Sequence, residues 1–354
     1  MMLSREYKAL FALLRSGLWD RTDPSVEAVF PLSAAEWEKV FRLSREQTVF
    51  GIVFRGMEYL QDEYVAPLPL LAKWTAHADR LEEQNRRMNG VLKSVLAHID
   101  PAGATAVLQK GQGVARMYPE PLLRECGDID LYFPNDCASD PLAGLPGADR
   151  RRMPDGSWEY EYDGVVIERH TRLLDVVSPL RQKYLRSLVE DEGYETVHIG
   201  GEDGFTAVVP SPKVNLLLLS SHILKHAFGV GIGLRQVCDM AVAKRYYASR
   251  VSDAEMEEVY RRAGILKWSR LLDCFIEEFI YSDKPKKSTV LLQIILKGGN
   301  FGAFTEGRES ASRGLLSRKW STFRSFVGNM GFALRYAPGE WFWTVARLAG
   351  GQVR

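Results

Sequence analysis

The chain reads as an α+β protein, a small α/β unit of roughly a hundred residues set between an N-terminal and a C-terminal helical region. Three observations carry that reading. Apolar residues recur at helical spacing through most of residues 3–100, beyond Pro101 the pattern changes to short strand-like runs, and after Pro212 the helical period returns.

In the first region Leu10, Leu13 and Leu14, then Trp37, Val40 and Phe41, mark apolar helix faces, and a long helix is expected from about Leu68 to Ile99. Its mixed charges, as in ADRLEEQNRRMNG, are those of a half-solvated helix. Ala104–Gln109 then reads as a short buried strand, Gly111–Met117 as the start of a helix, and Asp128–Phe133 as a strand with alternating faces. A loop rich in Pro, Gly, Ala and Asp is expected over Pro134–Gly156. WEYEYDGVVIERHTRL predicts two strands joined at Asp163-Gly164, a pair suited to a tight hairpin turn. A helix near Leu180–Glu190, weak strands at Glu195–Ile199 and Phe205–Val209, and helices over Lys213–His226, Leu234–Ser249, Asp253–Ala263 and Leu266–Tyr281 complete the pattern, with Pro212 placed in a first helical turn. The expected divisions are a helical region at 1–100, an α/β core at 101–210, a helical domain at 211–300 and a tail at 301–354.

Lys plus Arg (46) nearly cancel Asp plus Glu (45), so no global field recruits nucleic acid or an anionic membrane, and charged partners must be met locally. Cys126, Cys137, Cys238 and Cys274 stand apart without a CxxC pair, which argues against a zinc knuckle or disulfide framework and for reduced thiols in the cytoplasm. The N-terminal stretch lacks the pattern of a signal peptide, and no apolar run is long enough for a transmembrane segment.

Asp128 and Asp130 are two apart on a predicted strand, so both carboxylates point to one side while Ile129 faces the core. Two acids held close share a proton or bind a cation; a lone DxD is more simply an exposed strand edge or a turn. Three neighbours favour the cation. Lys110, Gly111 and Gly113 follow a buried strand and open a helix, where backbone N–H groups suit a phosphate. Arg116 and Arg124 offer triphosphate contacts, and Glu168 ends a strand that could carry a third carboxylate beside the pair. Such a trio matches the needs of two-metal phosphoryl transfer.

KGQGVARMYPEPLLRECGDIDLYF, with VVIERHTRL, VVPSPKVNLLLLSSHILKHAF and GLRQVCDMA, resembles the uncharacterised bacterial nucleotidyltransferases of the DNA polymerase β-like superfamily, continuously from about Val107 to Ala241. The resemblance implies a mixed-sheet nucleotidyltransferase core that moves a nucleoside monophosphate from a nucleoside triphosphate such as ATP to an acceptor, with two Mg²⁺ ions. It makes Asp128, Asp130 and Glu168 the metal-binding and catalytic acids, Glu168 also orienting or deprotonating the acceptor hydroxyl, and gives Lys110 and Gly111 the place of the glycine turn. Gln112 departs from the Gly or Ser usual after that first glycine, which motivates an alternative: a catalytically weak or inactive nucleotide-binding or interaction protein on the same fold.

His222 and His226 lie one helical turn apart, among Leu219, Ile223 and Phe228. Packing or hydrogen bonding explains them, and substrate contact or metal chelation at that spacing is the functional alternative. His170 shares a strand face with Glu168 and is a further candidate contact. Arg235 and Asp239 have the spacing of an ion pair on a helix face. Basic and aromatic residues from Arg313 to Arg354 fit either a terminal helix pair packed on the core or a surface for nucleic acid, membrane or a partner.

Overall fold

The computed structural model describes residues 3–100, 103–134, 140–153, 157–201, 203–229, 231–282, 290–298 and 328–349. Cys137, most of the basic-aromatic tail and residues 299–302 lie outside the described residues, as do 135–139 and 154–156 of the loop expected at 134–156.

The N-terminal region folds as α1 (Arg5–Trp19), α2 (Val26–Val29), α3 (Ala34–Glu46), α4 (Phe50–Gly56) and α5 (Leu68–Ile99). Ser33 starts α3 with a capping box, its hydroxyl accepting from the Glu36 amide while the Glu36 carboxylate accepts from the Ser33 amide. The 32-residue α5 serves two cores. Its first half buries Trp74 and Ala78 among the helices, whereas Met88, Leu92, Val95 and Ile99 cover the sheet.

The sheet has seven strands: β1 (Val107–Leu108), β2 (Ile129–Tyr132), β3 (Asp149–Arg152), β4 (Trp158–Tyr162), β5 (Val165–His170), β6 (Tyr194–Ile199) and β7 (Phe205–Pro210). Their order is β3-β4-β5-β2-β1-β7-β6, with β1 parallel to β7, β2 parallel to β5 and the other neighbours antiparallel, so the sheet is mixed. Alternation decides the faces. Leu108, Ile129, Leu131 and Ile167 turn beneath α5, essentially without solvent exposure, each contributing about 1.5–3 kcal/mol by burial. Val107 and the residues that alternate with Ile129 and Ile167 take the opposite face.

At the expected hairpin Asp163 and Gly164 both have positive φ, 48° and 67°, the conformation of a tight primed turn. A Cβ on Gly164 would stand 3.0 Å from the Arg87 guanidinium, which donates to the Asp163 carbonyl. One strand was not legible. β3 runs Asp-Arg-Arg-Arg within the stretch expected as loop, and all four residues are exposed. An edge strand of charged residues shows no apolar alternation, yet charge is what an edge tolerates; Arg150 lies 3.6 Å above the Trp158 ring.

α6 (Gln112–Ala115) is a single turn after β1, and α7 (Gln182–Glu192) precedes β6. The C-terminal region contains α8 (Pro212–Phe228), α9 (Leu234–Tyr247), α10 (Asp253–Ala263), α11 (Leu266–Phe275) continuing into a π-helical turn over Ile276–Tyr281, α12 (Val290–Gly298), α13 (Met330–Tyr336) and α14 (Pro338–Ala349). The first and last helical regions bury their apolar side chains in one shared core. Arg15 and Trp19 of α1 also donate to the carbonyls of Phe279 and Ile280. In the described part of the tail Phe332, Ala333 and Ala337 are buried, Trp341 and Val345 are half-buried, and Phe342 is exposed. Glu340 is buried and accepts the backbone N–H groups of Val177 and Ser178 at 2.6 and 3.2 Å, fastening α14 to the segment after β5. No described helix is long and apolar enough to cross a membrane. Cys126 and Cys238 are buried free thiols and Cys274 is an exposed one.

Candidate active site

The parallel pairing of β2 with β5 sets Asp130 opposite Glu168 and Tyr132 opposite His170. Residues paired in this way point to the same side of a sheet, here the side away from α5. The His170 Nε2 stands 2.5 Å from Asp130 Oδ1 and 3.4 Å from Glu168 Oε2. One ligand atom each from Asp130, Glu168 and His170 lies within 4.8 Å of the others, a spacing that suits a cation. Asp128 lies just before β2, outside that tight group.

Lys110 enters from the end of β1, its ammonium 3.0 Å from Asp130 Oδ1. Burial disfavours this charge, but the carboxylates of Asp130, Asp175 and Asp128 outweigh it and raise the Lys110 pKa. Burial likewise opposes the Asp130 charge, and Lys110 together with the His170 hydrogen bond holds that carboxyl below the usual range. Asp128 and Glu168 go the other way. Burial raises the pKa of both, and repulsion from Asp130 adds to it. One ionised acid with two others pushed toward their neutral forms is the electrostatic mark of a site with more negative charge than Lys110 compensates.

Gly111, between Lys110 and α6, has φ 53° and ψ −121°, a combination that favours glycine, and an added Cβ would meet the Asp128 carbonyl at 3.5 Å. Gly113 lies in α6, packed close to Val209 and Leu108. The glycine turn and the acid pair therefore abut.

The other expected residues divide into two groups. His222 and His226 of α8 form a second cluster on the same side as Lys110. Their rings stand 4.5 Å apart, and His222 Nδ1 pairs with Asp175 at 2.9 Å. Lys225 reaches the same carboxylate at 2.8 Å. Burial and the Lys110 charge lower the His222 pKa to about 4; burial and His222 hold His226 well below its ordinary value. Burial opposes the Asp175 charge, but His222 and Lys225 hold its carboxyl well down. Asp175 was missed in the sequence, although a lone acid inside Leu-Leu-Asp-Val-Val was a signal.

Arg124 stands apart from this surface. Its guanidinium is buried and grips Asp239 of α9 with two contacts, at 3.0 and 2.6 Å, while Tyr118 donates to the same carboxylate at 2.7 Å. Asp239 thus pairs across elements, and Arg235 donates to the Glu125 carbonyl. Asn85 of α5 donates to the carbonyls of Leu122 and Arg124, and Glu125 accepts the Phe50 N–H. These bonds fasten the strap that delivers Asp128 and Asp130. Arg116 is also engaged, with Tyr246 and Tyr247.

A sequence model of a family described as an uncharacterised nucleotidyltransferase matches residues 33–279, well over half of the chain. No curated protein matches, and no solved structure does.

Proposed function

Since the chain belongs to that uncharacterised nucleotidyltransferase family, we propose that it transfers a nucleoside monophosphate from a nucleoside triphosphate to an acceptor, by Mg²⁺-dependent chemistry of the DNA polymerase β-like kind. The observation that carries the reading is Glu168 in register with Asp130 on parallel strands, with Lys110 and the Gly111 turn at the end of the adjoining strand.

The residues fit a divalent metal on their own chemistry. Asp128, Asp130 and Glu168 supply the oxygen donors that Mg²⁺ takes, and the raised pKa values of Asp128 and Glu168 register a shortage of positive charge. His170 would orient Asp130 through its Nε2, a role usual for groups hydrogen-bonded to metal-binding carboxylates. Two Mg²⁺ ions held by the acids would neutralise the transferring phosphoryl group and make the acceptor oxygen a stronger nucleophile.

The acceptor oxygen then forms its bond to the α-phosphorus as the bond to the bridging oxygen breaks, and pyrophosphate leaves with that electron pair. Glu168 would orient the acceptor hydroxyl and take its proton. Lys110, Gly111 and Gly113 would meet the triphosphate from the turn. Lys225 adds a cation from α8, and His222 and His226, neutral at pH 7, would offer hydrogen bonds to substrate without adding charge. Arg124 acts through position, by holding the strap that ends in the acids.

The test is calorimetric titration of each NTP with Mg²⁺ into wild type and the Asp128→Asn/Asp130→Asn double variant. Binding that requires Mg²⁺ and vanishes in a folded double variant supports the reading; equal affinity in both refutes it. Sustained pyrophosphate release that depends on these acids further rejects the non-catalytic binding role suggested by Gln112.

A further inference from the structure

On the other side of the sheet, under α5, a cavity of about 800 Å³ opens between α5, α6 and the turn joining β6 to β7. Ala115, Cys126 and Ile199 of its wall belong to the core beneath α5, so the cavity and the acid cluster lie on opposite faces, with the Lys110–Gln112 turn between them.

Its polar lining is unusual. Gln112 is 3 % exposed and neither atom of its amide has a hydrogen-bond partner. Asn85 is 2 % exposed with its carbonyl oxygen unpaired, and the Asn89 carbonyl oxygen and Arg116 Nε are likewise buried without partners. Native interiors hold few such groups, each costing about 1–3 kcal/mol. Here four residues bring five such atoms to the wall of one cavity. Terminal amide torsions are soft, so a small turn presents Gln112 or Asn89 to an occupant.

The donor set selects the occupant. Side-chain amides give and accept hydrogen bonds at once, the complement of an uncharged body with both donors and acceptors, as at a nucleobase edge. Lys93, exposed at the rim, supplies positive charge for a phosphate, beside an Arg86 paired with Glu82 and the rim acids Glu120 and Asp203. The volume falls within the range of small-molecule sites.

We propose that this cavity is a second binding site, distinct from the acid cluster, for a phosphorylated ligand with an uncharged hydrogen-bonding body, a nucleoside monophosphate or a sugar phosphate. Because Gln112 both walls the cavity and adjoins Gly111, an occupant is in contact with the turn that faces the acids.

The experiment is calorimetry of the full chain in EDTA with the monophosphates of adenosine, guanosine, cytidine and uridine, and with ribose phosphate. At least one binds. Asn89→Leu and the exposed Lys93→Ala each weaken it by about tenfold or more. Gln112→Met abolishes binding and raises the melting temperature of the ligand-free protein, since it removes two unpaired buried atoms. Glu168→Gln leaves binding intact, which separates this site from the acid cluster whatever that cluster does. Nucleotide binding without ribose phosphate binding assigns the body to a base; binding of both assigns it to the sugar. The proposal is overturned if no probe binds at millimolar concentration, if the folded Asn89 and Lys93 variants bind like wild type, or if Glu168→Gln abolishes binding.

Discussion

Lys110→Met exposes the charge imbalance of the acid cluster to measurement. The Lys110 and Asp130 side chains are 15 % and 5 % exposed and 3.0 Å apart, so the methionine removes one partner of a largely buried pair and leaves Asp130 beside two other acids. Breaking such a pair destabilises by about 3–5 kcal/mol. The lower end, about 3 kcal/mol, is expected because His170 still reaches the same oxygen. In urea this lowers the unfolding midpoint by about 1 M. Mg²⁺ should then act as the missing cation. At a concentration about a hundredfold above its dissociation constant it returns about 2.7 kcal/mol to the variant. It returns less to wild type, where Lys110 already holds the carboxylate that the ion needs. The assay is urea denaturation of both proteins in EDTA and in excess Mg²⁺. A variant as stable as wild type in EDTA, or an equal Mg²⁺ increment in both, would refute the reasoning.

Further predictions follow from single contacts. Asp239→Ala strands the buried Arg124 charge and should lower stability by about 3–5 kcal/mol by urea denaturation, whereas an Arg124 that served only phosphate would make the change nearly silent. Burial raises Glu125 from its ordinary 4.5 to about 7, so the folded chain keeps a proton that the unfolded chain releases, and stability falls as pH rises from 4.5 to 7. Glu125→Gln should therefore stabilise by about 2–3 kcal/mol at about pH 8 and change little near the unfolded value, read from denaturation at both pH values. Glu340→Ala leaves the Val177 and Ser178 N–H groups unpaired, should cost about 1–3 kcal/mol, and should speed amide hydrogen exchange in α14; unchanged exchange counts against the fastening role.

Most of the sheet was legible because its strands carry local signals. β4 and β5 announce themselves by alternation and by Asp163-Gly164, and the structure has them at Trp158–Tyr162 and Val165–His170. β3 was hidden because an exposed edge of arginines lacks the apolar period that marks a strand. The Arg235–Asp239 spacing matched a helix-face pair, yet Asp239 turned to Arg124, which lies 115 residues away in sequence. Spacing within one helix says nothing of a stronger partner on another element.

By itself the sequence determined the helical, α/β, helical order and the small-residue turn beside Lys110, because each rests on spacing over a few residues, whereas the strand expected from Asp128 begins only at Ile129. Only the tertiary structure decided that β5 lies parallel against β2, bringing Glu168 and His170 to Asp130. It alone joined Asp175 to His222 and Lys225, buried Arg124 against Asp239, and left Gln112 unpartnered at a cavity wall. The physical reason is range: backbone periodicity is written locally, whereas the partner of a buried charge or amide is chosen by whichever distant group packing brings within hydrogen-bond reach.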